Sequence, residues 1–122
     1  MILRGEVYNA RLDPTEGSEQ AGSRPVVVVS RNAINANSRI VLAVPCTTYR
    51  GQRIYPSQTL LHSPDGGLIG DSLAMGEQVR VLSQSRLLRR LGMLSTTAIA
   101  QLDQALLIAF DLPSMPAGAW SR

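Results

Sequence analysis

The sequence predicts a mainly β domain: a small, strongly bent antiparallel barrel of roughly five short strands, lidded by one C-terminal helix. Three observations predict it. Up to residue 83, short β-branched or alternating runs are separated by clusters of Gly, Pro, Asn and Asp. After that point the apolar spacing changes to a helical period. At 122 residues, with 44% apolar and only 17% charged, the chain suits one domain with one core and is not disordered.

EVYNARL, residues 6–12, alternates as a first strand. DPTEGSEQAGS, residues 13–23, then supplies turn chemistry at a length that exceeds a simple hairpin and marks a functional loop. PVVVVS reads as a buried strand, RNAINANS as a second loop, and RIVLAVPCTT as a third strand. The polar segment YRGQRIYP leads to SQTLLH, a further strand, and SPDGG is a turn. LAMGEQVRVLS reads as one strand with Met75, Glu77, Val79 and Val81 on one side. Ser83 is placed to cap a short helix, QSRLLRRL, closed by Gly92. Ser95 is placed to cap a longer one from Thr96 to about Leu112, with Ile99, Leu102, Leu106 and Ala109 or Phe110 on one face and Pro113 as the stop. The predicted organisation is a domain over 1–112 and a frayed tail over 113–122, in which Trp120 has no assigned role.

The formal charge is +3, and all 12 basic residues are Arg. That balance permits nucleic-acid binding without requiring it, and a guanidinium fork grips phosphate by two bonds. MILRGEVYNARLDP turns polar after three residues, no apolar run is long enough for a membrane span, and the single cysteine suits a reducing compartment, so a soluble cytoplasmic protein is expected. Cys46 lies in an apolar run and reads as an inert core thiol. His62, the only histidine, reads as a surface turn residue, and with one His no two-histidine mechanism is available. One His and one Cys without clustered carboxylates argue against a metal site, and no cofactor is expected. The Arg86, Arg89 and Arg90 cluster reads as a solvated helix face, with the rim of a binding groove as the alternative.

The chemistry concentrates in GSEQAGSRPVVVVS, where a glycine-rich loop passes through one Arg-Pro step into four valines. If PVVVVS pairs antiparallel with RIVLAVPCTT, partner numbers sum to about 69–71, which puts Arg24 opposite residues near 45–47 and within reach of Thr47. Pro25 holds the residue before it extended and costs no ladder bond at a strand's first position. A guanidinium beside a hydroxyl suits a phosphate, because it can neutralise the charge that develops on a pentacoordinate phosphorus. With RNA's own 2′-hydroxyl as nucleophile, no metal or protein nucleophile is needed, and Glu19 is the nearest candidate base. The alternative is that Arg24 forms a salt bridge with Glu16 or Glu19 and only pins the loop.

RGEVYNARLDPTEGSEQAGSRPVVVVS resembles the opening signature of the MazF/PemK toxins, and VPCTT (44–48) and GEQVRVLS (76–83) match later strands of that family in order. The resemblance implies an SH3-like β-barrel with a C-terminal helix, forming a homodimer. It implies a sequence-specific, metal-independent endoribonuclease that cuts single-stranded RNA to 2′,3′-cyclic phosphate and 5′-hydroxyl ends. Carried over residue by residue, the catalytic set is Arg24, Thr47 and Glu19, and the RNA-binding set is Ser18, Gln20, Thr48, Gln78 and Arg80. Ser23 stands where some members carry His before the arginine, so no imidazole is available there. The implied partner is a MazE-like antitoxin whose acidic, partly disordered C-terminal tail occupies the basic groove. The rival readings are a gyrase-targeting toxin of the same fold, which usually ends in Trp-Gly-Ile where this chain ends AWSR, and a catalytically silent homologue.

Overall fold

A computed structural model describes residues 1–113 of the protein. Those residues form seven strands, β1 Glu6–Arg11, β2 Ser23–Val28, β3 Ile40–Thr48, β4 Gln58–Leu61, β5 Ser72–Met75, β6 Arg80–Ser83 and β7 Leu87–Met93, with helices α1 Asn32–Asn37 and α2 Thr96–Ala109. The sheet runs β4-β5-β3-β2-β1-β7, and β6 pairs with β3. All pairings are antiparallel. The mainly β expectation with a C-terminal helix holds, but the ladder is open: among the described residues β4 and β7 remain its two ends. No helix among the described residues is long and apolar enough to cross a membrane. Of the expected tail, everything beyond Pro113, Trp120 included, lies outside the described residues.

The four valines show why the strand has no polar face. Val26 and Val28 enter one core with Ala10, Leu12, Val41, Ala43 and Leu82. Val27 enters the other, beneath α2, with Val7, Val44, Cys46 and Leu102, and Val29 packs against it. Side chains alternate across a strand, so a strand buried on both faces reads as a continuous apolar run.

β3 accounts for the shape of the open end. Its first part, Ile40 to Ala43, pairs with β6, and its last part, Cys46 to Thr48, pairs with β5 on the other side of a break at Val44 and Pro45. Pro45 has no N–H to offer a ladder, and it falls where the strand changes partners. This break corrects the expectation of one strand over 73–83. Gly76 to Gln78 form a single 3₁₀ turn instead, because Gly76 N–H donates to the Ser57 carbonyl at 3.0 Å. A Cβ on Gly76 would stand 2.5 Å from that oxygen.

Two further expectations are corrected. RNAINANS is not a plain loop but contains α1, organised by side-chain hydrogen bonds that outweigh the weak helix propensity of Asn. Ser30 Oγ donates to Oδ1 of buried Asn35, whose Nδ2 donates to the Ser30 carbonyl at 3.1 Å. Gln84 Nε2 reaches the carbonyls of Asn35, Ser38 and Ile40. QSRLLRRL is not a helix: after one 3₁₀ turn it becomes β7, paired with β1 from Glu6↔Met93 to Ala10↔Leu87. Ser83 makes no cap bond, and cross-strand contacts decide the conformation over helical spacing. Gly92 closes no helix; its backbone packs directly on the Gly66–Gly67 turn.

The long helix is capped as expected. Ser95 Oγ accepts from Ala98 N–H at 3.2 Å, and Asp65 fixes Ser95 by accepting from its N–H at 2.8 Å and its Oγ at 2.7 Å. Its end comes before Pro113, with Asp111 at φ 56. Asp111 N–H donates to the Ile108 carbonyl at 3.0 Å and Leu112 N–H to the Leu107 carbonyl at 2.8 Å, the paired bonds of a Schellman turn. Ala98, Leu102 and Ala105 are buried, Ile99 and Leu106 pack against the core, and Phe110 stays exposed.

A buried carboxylate ties β1 to β7. Glu6 bonds the Arg90 guanidinium, the Tyr8 hydroxyl at 3.2 Å and the Leu3 N–H at 2.6 Å. Burial pushes its carboxyl up, but the Arg90, Leu3 and Tyr8 bonds together outweigh burial and hold it below the ordinary glutamate value. A carboxyl lowered on folding stabilises the fold above its unfolded value and loses that contribution as pH falls through the folded one. Thermal melts of Glu6→Gln are therefore expected to lose stability at neutral pH and to flatten the acid limb below about pH 4.5, relative to wild type. An unchanged acid limb would remove Glu6 from the pH dependence.

Candidate functional site

The register predicted for the hairpin is the one observed. Val26↔Pro45, Val27↔Val44 and Val28↔Ala43 pair β2 with β3, so continuing the ladder sets Arg24 opposite Thr47. Both stand on the face that carries Val26 and Ala43, at the end where the 12–22 loop enters β2. Arg24 Nε donates to the Ala21 carbonyl at 2.9 Å, and its Nη1 lies 3.5 Å from Thr47 Oγ1. Among the described residues no carboxylate pairs with Arg24, so the salt bridge to Glu16 or Glu19 is not formed. The backbone carbonyl orients the guanidinium without neutralising it, and leaves its charge for a ligand.

The same loop and the same stretch of β3 contribute Glu19, Gln20 and Pro45 to a groove of about 440 Å³, lined also by Glu77, Gln78, Val79, Arg80 and Val81. Pro45 comes from the break in β3, Glu19 and Gln20 from the 12–22 loop, and the rest from the Gly76–Gln78 turn and the start of β6. Gln78 Oε1 accepts from Gln20 N–H at 3.0 Å and so joins the walls. Gln20 Oε1 is buried without a partner, an acceptor that a donor from a ligand can satisfy. Arg80 faces the groove, with Nη1 3.3 Å from the Leu12 carbonyl. Pro45, Glu77, Val79 and Val81 were not expected at the site from the sequence; the change of partner along β3 and the turn before β6 bring them here.

Of the expected residues, Glu19, Gln20, Gln78 and Arg80 line the groove, while Arg24 and Thr47 pair with each other outside its lining, joined to the loop through the Ala21 carbonyl. Glu19 is exposed and bonds neither Arg24 nor Thr47. Ser18 is exposed near the tip of the loop and does not line the groove. Thr48 alternates with Thr47 and faces the other side of the sheet, where it lines a second hollow of about 380 Å³ with Asn9, Pro25, Asp71 and Arg89. The Arg cluster divides: Arg90 bonds Glu6, Arg86 bonds the Arg11 and Asp13 carbonyls, and Arg89 lines the second hollow. Cys46 is buried in the core and its thiol is pushed up to about 12 by burial, so it is no nucleophile. His62 is an exposed residue with Nδ1 3.5 Å from Asp71 Oδ2, and it does not line the groove. Among the described residues no three His, Cys, Asp or Glu side chains group as metal ligands do.

Residues 3–110 match the family described as PemK-like, MazF-like toxin of type II toxin-antitoxin system. The chain is 41% identical over 116 residues to the endoribonuclease MazF9 of Mycobacterium tuberculosis, covering 92% of this chain and 98% of that protein. Its fold is similar to that of an endoribonuclease solved in complex with its cognate antitoxin from a mycobacterial species, with a TM-score of 0.78 and 29% identity over 94% of this chain and all of that one. MazF from Deinococcus radiodurans shares the fold with a TM-score of 0.78 at 23% identity, covering 91% of this chain and 97% of that one.

Proposed function

The chain belongs to the PemK-like, MazF-like toxins of type II toxin–antitoxin systems, and on that footing we propose that it is a sequence-specific, metal-independent endoribonuclease of single-stranded RNA. The observation that carries the reading is Arg24, an arginine with no carboxylate partner among the described residues, held by the Ala21 carbonyl beside Thr47.

In the reaction the RNA's 2′-oxygen attacks the adjacent phosphorus. The O2′–P bond forms as the P–O5′ bond breaks, and the departing O5′ takes a proton from water, leaving a 2′,3′-cyclic phosphate and a 5′-hydroxyl. Arg24 offsets the extra charge on the pentacoordinate phosphorus, and Thr47 Oγ1 hydrogen-bonds a non-bridging oxygen. Glu19, on the loop that walls the groove, takes the 2′-hydroxyl proton once RNA draws the loop in. Gln20, Gln78 and Arg80 hold the strand along the groove, with Ser18 at the loop and Thr48 on the far face contacting it beyond the cut. No step calls for a metal ion.

The same groove fits the acidic C-terminal tail of a MazE-like antitoxin, whose carboxylates compete with phosphate for Arg24. The working form is a cytoplasmic homodimer of the domain over 1–112, with the tail over 113–122 appended. An oligoribonucleotide carrying one 2′-deoxy sugar at the cut site tests the chemistry: it should bind as well as the all-ribo strand and remain intact. Cleavage of the deoxy-substituted strand at the same bond would overturn attack by the 2′-hydroxyl.

A further inference from the structure

The loop that carries Glu19 and Gln20 is tethered at its root. Leu12 is fully buried, and its N–H donates to the Gly22 carbonyl at 2.9 Å, which closes the neck. The carbonyls on either side of it, those of Arg11 and Asp13, both accept from Nη1 of Arg86, at 3.1 Å for Arg11. The Leu12 carbonyl between them accepts from Arg80 Nη1 at 3.3 Å. Three successive carbonyls of the neck are thus held by two guanidinium groups, from β6 and from the turn before β7. Bonds from an ionised donor are stronger than those between neutral groups. Among the described residues Arg86 has no carboxylate partner, so its charge acts on the neck. It does not line the groove, and its bonds go to neither Arg24 nor Thr47.

We infer that Arg86 is a positioning residue for the reaction: it sets the angle at which the loop leaves β1, and so where Glu19 and Gln20 stand along the groove. This rests on the ribonuclease reading. Among the described residues the loop meets the opposite wall through the Gln78–Gln20 bond and its β2 end through the Ala21 carbonyl held by Arg24, and RNA can replace the first of these. The Arg86 bonds go to backbone at the neck and persist whichever way the loop closes. Because misplacement of a reacting group by about 1 Å can cost roughly 10²-fold in rate, a loosened neck acts on turnover before it acts on binding.

The test compares wild type, Arg86→Met and Arg86→Lys as full chains. Methionine keeps the apolar stem and removes the donor. Lysine returns one ammonium, which can serve both carbonyls as Nη1 does. Cleavage kinetics on a single-stranded RNA should show kcat down roughly 10- to 100-fold for Arg86→Met with KM within about threefold, and most of the loss recovered by Arg86→Lys. Amide hydrogen exchange should speed up over residues 12–22 in Arg86→Met and stay unchanged in β2 and β3. Wild-type kcat with a loosened loop, or an unaltered loop, overturns the inference. So does lost activity with exchange faster throughout the fold and no recovery by lysine. A wild type that cuts no RNA while Arg86→Met still loosens 12–22 sinks the ribonuclease reading and leaves the tether standing.

Discussion

Arg24→Ala is expected to lower the cleavage rate by at least roughly 10²- to 10³-fold, the scale on which loss of a single group stabilising transition-state charge is felt. The guanidinium is the only cation beside Thr47 within bonding distance in the described structure, so no neighbour can take its place. Its side chain is at the rim, outside both apolar cores, so the fold should survive. Arg24→Lys restores charge but not the planar fork, and should recover only part of the rate. Single-turnover cleavage with a melting curve for each variant separates chemistry from folding. A folded Arg24→Ala that cuts near the wild-type rate would remove Arg24 from the mechanism.

The second large effect is on stability. Gly67 has φ +73, and a Cβ there would lie 2.0 Å from the Leu91 carbonyl oxygen and 2.6 Å from its carbon. Those atoms belong to the β7 backbone, which cannot yield as a side-chain end can. Gly92 sits against the same turn from the other side, with the Gly66 carbonyl carbon 2.7 Å from where its Cβ would be. Backbone strain and overpacking each cost about 1–3 kcal/mol, so Gly67→Ala is expected to destabilise the protein by about 2–6 kcal/mol. Urea unfolding measures it directly. Gly70→Ala, where a Cβ meets nothing within 4 Å, is the matched control and should stay near wild type. Equal stability of the two variants would show that the turn does not pack on β7 in solution.

The parts of the fold legible in the sequence were those whose cause lies in local residue type. The valine run announced a strand buried on both faces, and Ser95 announced the helix start. The β2–β3 register followed from the loop length and put Arg24 opposite Thr47. β7 was hidden because LLRRL satisfies a helical spacing as well as a strand, and only pairing with β1 chooses between them. The turn at Gly76 was hidden because its cause is a close approach to the Ser57 backbone, far away in sequence. The same holds for the site. Glu19 and Gln20 were found through the motif of their loop, whereas the grip of Arg80 and Arg86 on the neck of that loop is made to carbonyls, which leave no mark in side-chain pattern. Thr48 shared a motif with Thr47, but strand alternation sends it to the other face.

The most direct measurement is to incubate wild type and Arg24→Ala with a long unstructured RNA in the presence of a chelator, and to sequence the 5′-hydroxyl ends. Metal-free cleavage at Arg24 predicts discrete cuts at one short motif with wild type and none above background with the variant. Wild-type cuts that vanish with chelator and return with divalent ions, or the same cut pattern from both proteins, would contradict it.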